Sequence, residues 1–249
     1  MQELLSLANH LADEAGTVVK RYFRQPFDVE RKSDETPVTI ADRTVEATMR
    51  RIIEGKRPED GILGEEYGPK ESKNGYTWVL DPIDGTKSFV VGRPSFGTLV
   101  ALCKDGVPVL GIIDQAILGE RWAGADGLGT TFNGMQVKTR PYKSLKESRI
   151  ASTSPSQIPN LWPRLYRDCG IVIWGGDCYS YGLMANGWLD GVVENNLAPY
   201  DFAAIPPIIN NAGGLMCDWS GQPLTLASKG DAIAMGNPAL KEEYLKLVA

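Results

Sequence analysis

Nine consecutive residues combine the residue types that hold a divalent cation with those that hold a phosphate. They follow the apolar stretch Trp78-Val79-Leu80 and read Asp81-Pro82-Ile83-Asp84-Gly85-Thr86-Lys87-Ser88-Phe89. This pattern predicts a strand that ends at Asp81, followed by a turn that presents two carboxylates and a hydroxyl. Hard oxygen ligands favour Mg²⁺, and a glycine before Thr86 at a predicted helix start offers backbone N–H groups to a phosphate. The segment therefore predicts a metal-assisted phosphoryl-transfer site.

The composition predicts a chain that folds around a full core, and it argues against a membrane or nucleic-acid partner. Its 249 residues are 43% hydrophobic, and no apolar run approaches the roughly 20 residues of a membrane helix. The start, Met1-Gln2-Glu3-Leu4, lacks the basic-then-apolar build of a signal peptide, so we expect a cytoplasmic location and no membrane partner. A net charge of -5 without a block of like charge gives no footprint for nucleic acid. An anionic substrate would need metal ions to offset repulsion.

The cysteines and the single histidine exclude several kinds of chemistry. The four cysteines, which are scattered and form no C-x-x-C pair, argue against a zinc site and a disulfide framework. His10 lies in a segment of helical period, which indicates a histidine on a helix flank. A Ser-His-Asp triad, a histidine-rich metal site and a phosphohistidine intermediate are therefore not easily built.

The apolar pattern predicts two halves of different type that pack into one unit of residues 1–249. Residues 1–145 read as an α+β half with helices through about Arg24 and over 41–56, followed by an antiparallel sheet. Residues 146–249 read as an α/β half. In it we expect strands over 149–152, 171–174 and 191–194 and helices near 161–169 and 178–186. The polar stretch 25–38 suits a mobile flap, in which Lys32 either closes the site or is a solvated surface charge.

Three further acids are candidates to join the metal motif, and each has a simpler alternative. Glu65 follows the strand-like Ile62-Leu63-Gly64, but Glu65-Glu66 also suits an exposed turn. Asp201 lies in Pro199-Tyr200-Asp201-Phe202-Ala203-Ala204, where an ordinary N-cap at the opening of a helix is the alternative. Asp42 would similarly be a first-turn acid that favours the helix dipole.

Together these segments resemble the inositol monophosphatase family, the Mg²⁺-dependent, lithium-sensitive phosphomonoesterases. The resemblance runs in the family's order through Thr36 to Asp42, Gly64-Glu65-Glu66, Asp81 to Phe89, and Tyr200 to Ala204 with Gly213-Gly214 after it. It implies a five-layer αβαβα sandwich, a small phosphorylated substrate and usually a homodimer.

The resemblance also implies a role for each matched residue. The ligands of up to three Mg²⁺ ions would be Glu65, Asp81, the Ile83 carbonyl, Asp84 and Asp201. Asp81 would bridge two ions, Asp84 and Asp201 would hold the ion nearest the leaving oxygen, and Glu65 and Ile83 would hold the ion that binds the attacking water. Mn²⁺ is a possible substitute, and Li⁺ is expected to inhibit.

Two remaining roles complete the implied mechanism. Thr86 and Asp42 would orient the attacking water and take its proton. The phosphate would rest on the Gly85 and Thr86 N–H groups. Attack would be direct, without a phosphoenzyme.

Other phosphatase chemistries fit the spacing less well. Haloacid dehalogenase type phosphatases carry their two aspartates two residues apart in D-x-D-G-T, whereas Asp81 and Asp84 are three apart. No C-x₅-R run follows a cysteine, which excludes the cysteine phosphatases. A non-catalytic binding protein of the same fold predicts a broken ligand set, and the matched set here is complete.

Several stretches are similar to histidinol-phosphate phosphatases within the family. Glu194 matches the family's contact to a substrate hydroxyl, and Asp177 stands where inositol enzymes usually have a small residue, although a plain helix N-cap is its alternative. Two acids suit the ammonium and imidazole of histidinol phosphate better than a neutral inositol ring. Tyr200 and Ser88 depart from the common Trp and Asn, which weakens the case for inositol phosphate. Arg93 is either a substrate contact or a surface charge. The similar stretches are Gly92 to Leu99, Gly111 to Gln115, Gly119 to Trp122 and Gly175 to Tyr179.

These features predict hydrolysis of histidinol phosphate. The alternative is an inositol-1-phosphate or broad-specificity sugar or nucleotide phosphatase of the same family.

Overall fold

The computed structural model describes residues 1–25, 29–31 and 37–249, with residues 29–31 and 37–39 described by their backbone alone. Its helices are α1 (Gln2–Tyr22), α2 (Ile40–Lys56), α3 (Thr86–Val90), α4 (Trp162–Asp168), α5 (Asp177–Ala185), α6 (Pro199–Phe202), α7 (Ile205–Asn211) and α8 (Lys241–Val248). Its strands are β1 (Val29–Arg31), β2 (Pro37–Thr39), β3 (Gly61–Gly64), β4 (Tyr76–Asp84), β5 (Gly97–Lys104), β6 (Val107–Gln115), β7 (Glu120–Ala125), β8 (Gly129–Phe132), β9 (Met135–Gln136), β10 (Arg149–Ser152), β11 (Ile171–Trp174), β12 (Gly191–Glu194), β13 (Leu215–Cys217) and β14 (Ala232–Met235). Across these residues no helix has the length and apolar character needed to cross a membrane.

The first sheet joins β3 to β9 in sequence order and is antiparallel except for the parallel β3–β4 pair. A turn at Asp105-Gly106 joins β5 to β6. Helices α1 and α2 cover one face of this sheet, because each has an apolar stripe at helical spacing. The expected antiparallel sheet in the middle of the chain is confirmed.

The expectation that the strand ends at Asp81 is wrong. Strand β4 continues to Asp84, and its pairing with β5 shifts register between Asp81 and Asp84. Pro82 is tolerated there because it lies in the irregular stretch, where the Thr98 hydroxyl donates to its carbonyl at 2.8 Å. In place of the predicted turn there is a local bulge, which changes the direction of the two aspartate side chains while the strand continues to Asp84.

The second sheet has the order β11-β10-β12-β14-β13. Strand β10 pairs in parallel with β11 and β12, and β14 pairs antiparallel with β12 and β13. The three strands expected after Arg149 lie at the predicted positions, and α4 and α5 lie within one residue of theirs. Both observations agree with the α/β reading of this part of the chain.

Five layers pack around three apolar cores, the second of which surrounds the middle layer of helices. The first core lies between α1, α2 and the seven-stranded sheet, and it includes Leu11, Met49 and Trp78. The second lies between the two sheets around α5 and α7. The third lies between the five-stranded sheet and helices α4 and α8. This order of layers confirms the αβαβα sandwich.

The stretch 25–38, predicted as a flap without packed structure, contains strands β1 and β2, which pair antiparallel. The prediction of an element-free loop is therefore wrong for these strands. Lys32 and Thr36 lie outside the described residues. Helix α7 had no sequence prediction, since Pro206-Pro207 conceals it. The two prolines fit because they occupy its first turn, where backbone N–H groups have no helical partner.

Buried Asp190 provides a test of the second sheet's stability. Its carboxylate accepts from Arg140 Nε at 3.0 Å and Nη2 at 2.5 Å, and from the Arg149 backbone N–H at 2.9 Å. We expect Asp190→Ala to lower the free energy of unfolding by about 3 kcal/mol, because it leaves these donors without their acceptor. Urea denaturation measures the change. The matched control is the exposed Arg167–Asp168 pair, where Asp168→Ala should leave stability almost unchanged because solvent screens an exposed ion pair. Equal losses would contradict this account.

Candidate active site

Three carboxylates from two parts of the chain meet at the bulge in β4. Asp81 and Asp84 stand at the two sides of the register shift, and Asp201 is the third residue of α6. One carboxylate oxygen from each lies within 4.8 Å of the others. The fold thus brings a residue from far along the chain to the motif.

Glu65 and Asp42 lie close enough to this cluster to act on its charge. Glu65 follows the end of β3, and Asp42 is buried in the first turn of α2. Burial raises the pKa of Asp81 well above its ordinary value, and the carboxylates of Glu65, Asp84, Asp201 and Asp42 raise it further. The five acids therefore form one electrostatic group.

The pKa values of the other two clustered aspartates are raised for the same reasons. Burial raises the pKa of Asp84 well above its usual range, and the nearby Asp177 and Asp201 add to the effect. Burial, with a contribution from Glu65, raises the pKa of Asp201 to about 7. Close carboxylates that resist ionisation together favour a site that takes up protons or cations.

Backbone N–H groups fix the orientation of each clustered aspartate. Asp81 accepts from the Ile83 N–H at 3.0 Å, Asp84 from the Cys178 N–H at 2.5 Å, and Asp201 from the Ala198 N–H at 2.7 Å. The last bond is a helix-capping contact, with Ala198 as the N-cap of α6. Asp201 is therefore the third helical residue, whose side chain reaches back to the N-cap, and the alternative of a plain N-cap role for Asp201 is wrong.

The segment after the cluster begins helix α3, as expected. The Thr86 hydroxyl donates to the Ile83 carbonyl at 3.1 Å, so two candidate groups already contact one another. Gly85 is the N-cap of α3 with φ of +85°. A Cβ at Gly85 would lie 2.8 Å from Asp177 Oδ2, so the absence of a side chain lets this carboxylate approach the motif.

Asp177 and Arg93 differ in how closely they approach the cluster. Asp177 is the first residue of α5, and Gly176 is the N-cap, so a plain N-cap role for Asp177 is wrong. Burial raises the pKa of Asp177, while the charges of Lys87 and Arg93 and a hydrogen bond from Ser88 oppose that rise. Arg93 is exposed and lies outside the lining of the cavity beside the cluster.

A cavity of about 140 Å³ opens beside the cluster. Buried Glu194 faces it, and its carboxylate accepts hydrogen bonds from the hydroxyls of Tyr181, at 2.9 Å, and Thr153. These hydroxyls hold down a pKa that burial of Glu194 raises. No motif marked Thr153 and Tyr181 in the sequence, because each is brought to Glu194 by the packing of β10, α5 and β12. The cavity is lined by Asp84, Thr153, Gln157, Asp177, Cys178, Tyr181, Glu194, Asn196, Leu197 and Asp201.

The cluster has the donor chemistry of a divalent-cation site. Hard carboxylate oxygens at these separations suit Mg²⁺. Burial and neighbouring carboxylates raise the pKa values of Asp81 and Asp84, and a bound cation would offset the repulsion between the carboxylates. The residues present therefore fit the ion that the sequence motif predicts.

Known proteins with this organisation include phosphatases. The family model described as the inositol monophosphatase family matches residues 1–249. The chloroplastic bifunctional phosphatase IMPL2 of Arabidopsis thaliana is 43% identical over 94% of this chain and 69% of its own length. A histidinol-phosphatase of Chlorobaculum parvum is 38% identical over 98% of this chain and 96% of its own. A solved inositol monophosphatase from Zymomonas mobilis superposes with a TM-score of 0.91 at 45% identity, covering 99% of this chain and 98% of the other. The chain belongs to the inositol monophosphatase family, whose members are metal-dependent phosphatases acting on small phosphorylated substrates.

Proposed function

We propose that this phosphatase hydrolyses L-histidinol phosphate to L-histidinol and phosphate, with Mg²⁺ as its metal. The observation that carries the proposal is the pair of acids, Asp177 and Glu194, that line the cavity next to the carboxylate cluster. The two relatives above, one named a histidinol-phosphatase and one a bifunctional phosphatase, support it.

The proposed division of labour follows from the chemistry of each side chain. Glu65, Asp81, the Ile83 carbonyl, Asp84 and Asp201 would hold the metal. Bound Mg²⁺ supplies positive charge to the phosphate oxygens and lowers the pKa of a water molecule. Asp42 and Thr86 would orient that water and accept its proton, and the Gly85 and Thr86 N–H groups would hold the phosphate.

The charge of the cavity supports histidinol phosphate as the substrate. A histidinol phosphate molecule carries its ammonium group close to the phosphate ester and its imidazole farther away. An acid held against the start of α3 and a second acid deeper in the cavity offer one partner to each. A neutral polyol would have to desolvate the same two carboxylates without providing a cation. Arg93 lies outside the cavity lining, so it would contact a substrate that extends out of the cavity.

A substrate panel tests the proposal directly. Phosphate release should be fastest, by kcat/KM, on histidinol phosphate, ahead of inositol 1-phosphate and of sugar and nucleotide phosphates. Preference for inositol 1-phosphate would instead favour the alternative that the similar Zymomonas mobilis inositol monophosphatase suggests. Absence of Mg²⁺-stimulated turnover on every substrate would contradict a catalytic role altogether.

Glu194→Gln should separate recognition from hydrolysis. Loss of a charge-assisted bond of about 1.5–3 kcal/mol predicts a drop of about 10- to 100-fold in kcat/KM on histidinol phosphate. A phosphate ester without an amine, such as p-nitrophenyl phosphate, should be hydrolysed within about threefold of the original rate. The matched control is Glu120→Gln, which also removes an acid that accepts from a tyrosine hydroxyl, that of Tyr179 at 2.7 Å, but away from the cavity. Equal losses on both substrates would show that Glu194 does not recognise the cationic part of histidinol phosphate.

We also propose an oligomeric state, the effects of other metals, a location and a mode of unfolding for the protein. The family resemblance supports a homodimer, which light scattering would test, with Mn²⁺ as a substitute metal and Li⁺ as an inhibitor. Four buried free cysteines agree with a reducing cytoplasmic location. Because the proposed site takes Asp84 and Asp201 from different halves of the chain, we expect residues 1–145 and 146–249 to unfold as one unit.

A further inference from the structure

Glu46 and Arg50 form an ion pair close to the carboxylate cluster, and the proposed reaction gives this pair no role. Glu46 lies on α2, one turn after Asp42, and its side chain is 0% exposed. Its Oε1 accepts from Arg50 Nε at 2.7 Å, and Arg50 is itself mostly buried at 13% exposure. A buried ion pair is weak evidence for stability, because apolar residues of similar size often serve as well. Its contacts must explain why it is there.

Those contacts converge on the turn that carries Glu65. The Glu66 N–H donates to Glu46 Oε2 at 2.7 Å, and the Tyr67 N–H donates to Oε1 at 3.3 Å. From the other side, Arg50 Nη2 donates to the Tyr67 carbonyl at 2.9 Å. The pair thus holds both N–H groups after Glu65 and the carbonyl that follows them.

The residue before Glu65 is held by the same carboxylate. A Cβ at Gly64 would lie 2.0 Å from Glu46 Oε1, so the backbone at 64 rests directly on this acid. Glu65 is therefore flanked on both sides by backbone that Glu46 fixes. Asp42 and Glu46 are one helical turn apart on a rigid helix, so α2 positions the turn and the acid Asp42 together.

We propose that Glu46 and Arg50 are positioning residues that hold Glu65 in its metal-binding place. The inference rests on the proposed role of Glu65 as a metal ligand. Partners behind a ligand commonly tune metal affinity by about 10- to 100-fold, because they fix the ligand's orientation. The pair touches no substrate and takes no part in proton transfer.

The test is Mg²⁺ binding measured by isothermal titration calorimetry on the full chain, together with the Mg²⁺ dependence of activity. Glu46→Gln keeps the shape of the side chain. It removes the negative charge that pairs with Arg50 and replaces one of the two acceptor oxygens with an amide NH₂ group. We expect its Mg²⁺ dissociation constant to rise by about 10- to 100-fold. At saturating Mg²⁺ the KM for substrate should stay within about twofold. Arg50→Lys keeps the positive charge but loses the guanidinium group that bonds Glu46 and the Tyr67 carbonyl at once, so its Mg²⁺ dissociation constant should rise by a smaller factor. This variant provides the test if Glu46→Gln does not fold.

The matched control lies at the other end of β3. Asp60 is similarly buried and pairs with Arg57 Nε at 2.8 Å, three residues away in the loop after α2, but it precedes the strand that Glu65 follows. Asp60→Asn should lower the melting temperature while leaving the Mg²⁺ dissociation constant within about twofold. If Glu46→Gln loses stability but binds Mg²⁺ as the unchanged chain does, the pair is purely structural and the inference is wrong.

Glu65→Gln distinguishes this failure from failure of the proposed function. If Glu65→Gln weakens Mg²⁺ binding and Glu46→Gln does not, only the positioning role is overturned. If Glu65→Gln leaves Mg²⁺ binding unchanged, Glu65 is not a ligand, and both the proposed ligand set and the positioning role are overturned.

Discussion

Asp84→Asn should lower kcat/KM by about a thousandfold, the largest effect we expect from a single atom exchange. The change removes one negative charge from the cluster while the amide oxygen can still accept the Cys178 N–H bond. Charge that a metal provides to the reacting phosphate is worth several kcal/mol, and about 4 kcal/mol corresponds to a thousandfold in rate. Steady-state phosphate release with saturating Mg²⁺ measures it.

The same exchange should stabilise the metal-free protein. Burial and neighbouring acids hold the pKa of Asp84 well above its ordinary value, so its ionised form opposes folding at neutral pH. A neutral Asn removes that penalty, and about 1 kcal/mol would raise the melting temperature by about 2–4 °C in a chain of this size. Asp126→Asn, in the exposed turn between β7 and β8, is the control for both measurements. Full activity of the Asp84 variant would contradict the metal role.

Metal-free protein should become less stable as the pH rises, and Mg²⁺ should remove this dependence. The pKa of Asp201 is raised to about 7 in the folded state, and those of Asp81 and Asp84 are raised well above the ordinary value of 3.8. A raised folded pKa means that the folded state binds more protons than the unfolded state, so stability is highest below the unfolded value and falls up to the folded value. Between about pH 6 and about pH 8 we expect the melting temperature to fall by on the order of 5 °C.

Differential scanning fluorimetry with EDTA and with saturating Mg²⁺ measures both profiles. Mg²⁺ should flatten the curve, because a cation holds the carboxylates ionised in the folded state. Asp201→Asn should reduce the slope of the metal-free protein, since one of the groups with a raised pKa is gone. Equal slopes with and without Mg²⁺ would show that these acids do not form the metal site.

Local patterns in the sequence predicted much of the fold and most of the acids. Strands 149–152, 171–174 and 191–194 were placed correctly because short apolar runs bounded by turn residues are informative. The end of β4 was misplaced, because Pro82 normally stops a strand and a bulge that tolerates it depends on the partner strand. Helix α7 was missed for a similar reason, since two prolines hide a helix unless its start is known.

In the candidate site, too, residues of a local motif could be predicted, whereas residues that only packing brings together could not. The motif Asp81 to Thr86 is local, so its composition alone suggested a metal and a phosphate. Thr153 and Tyr181, which orient Glu194, carry no signal in the sequence, because they come from separate elements and only packing brings them together. The contact between Gly85 and Asp177 is equally invisible, since it joins residues ninety-two positions apart.

The contact between Glu46 and Gly64 has a consequence for how this sequence can vary. Unlike Gly85, Gly64 does not have a positive φ, so its backbone conformation is open to other residues, and the three atoms nearest to a Cβ there all belong to the Glu46 carboxyl group. Alanine at position 64 would therefore displace the Glu46 carboxylate from its contacts, whereas a shorter residue at 46 would leave room for it. Positions 46 and 64 should therefore change together during divergence. A chain that crosses to the other combination must pass through an intermediate that either clashes or lacks the acid.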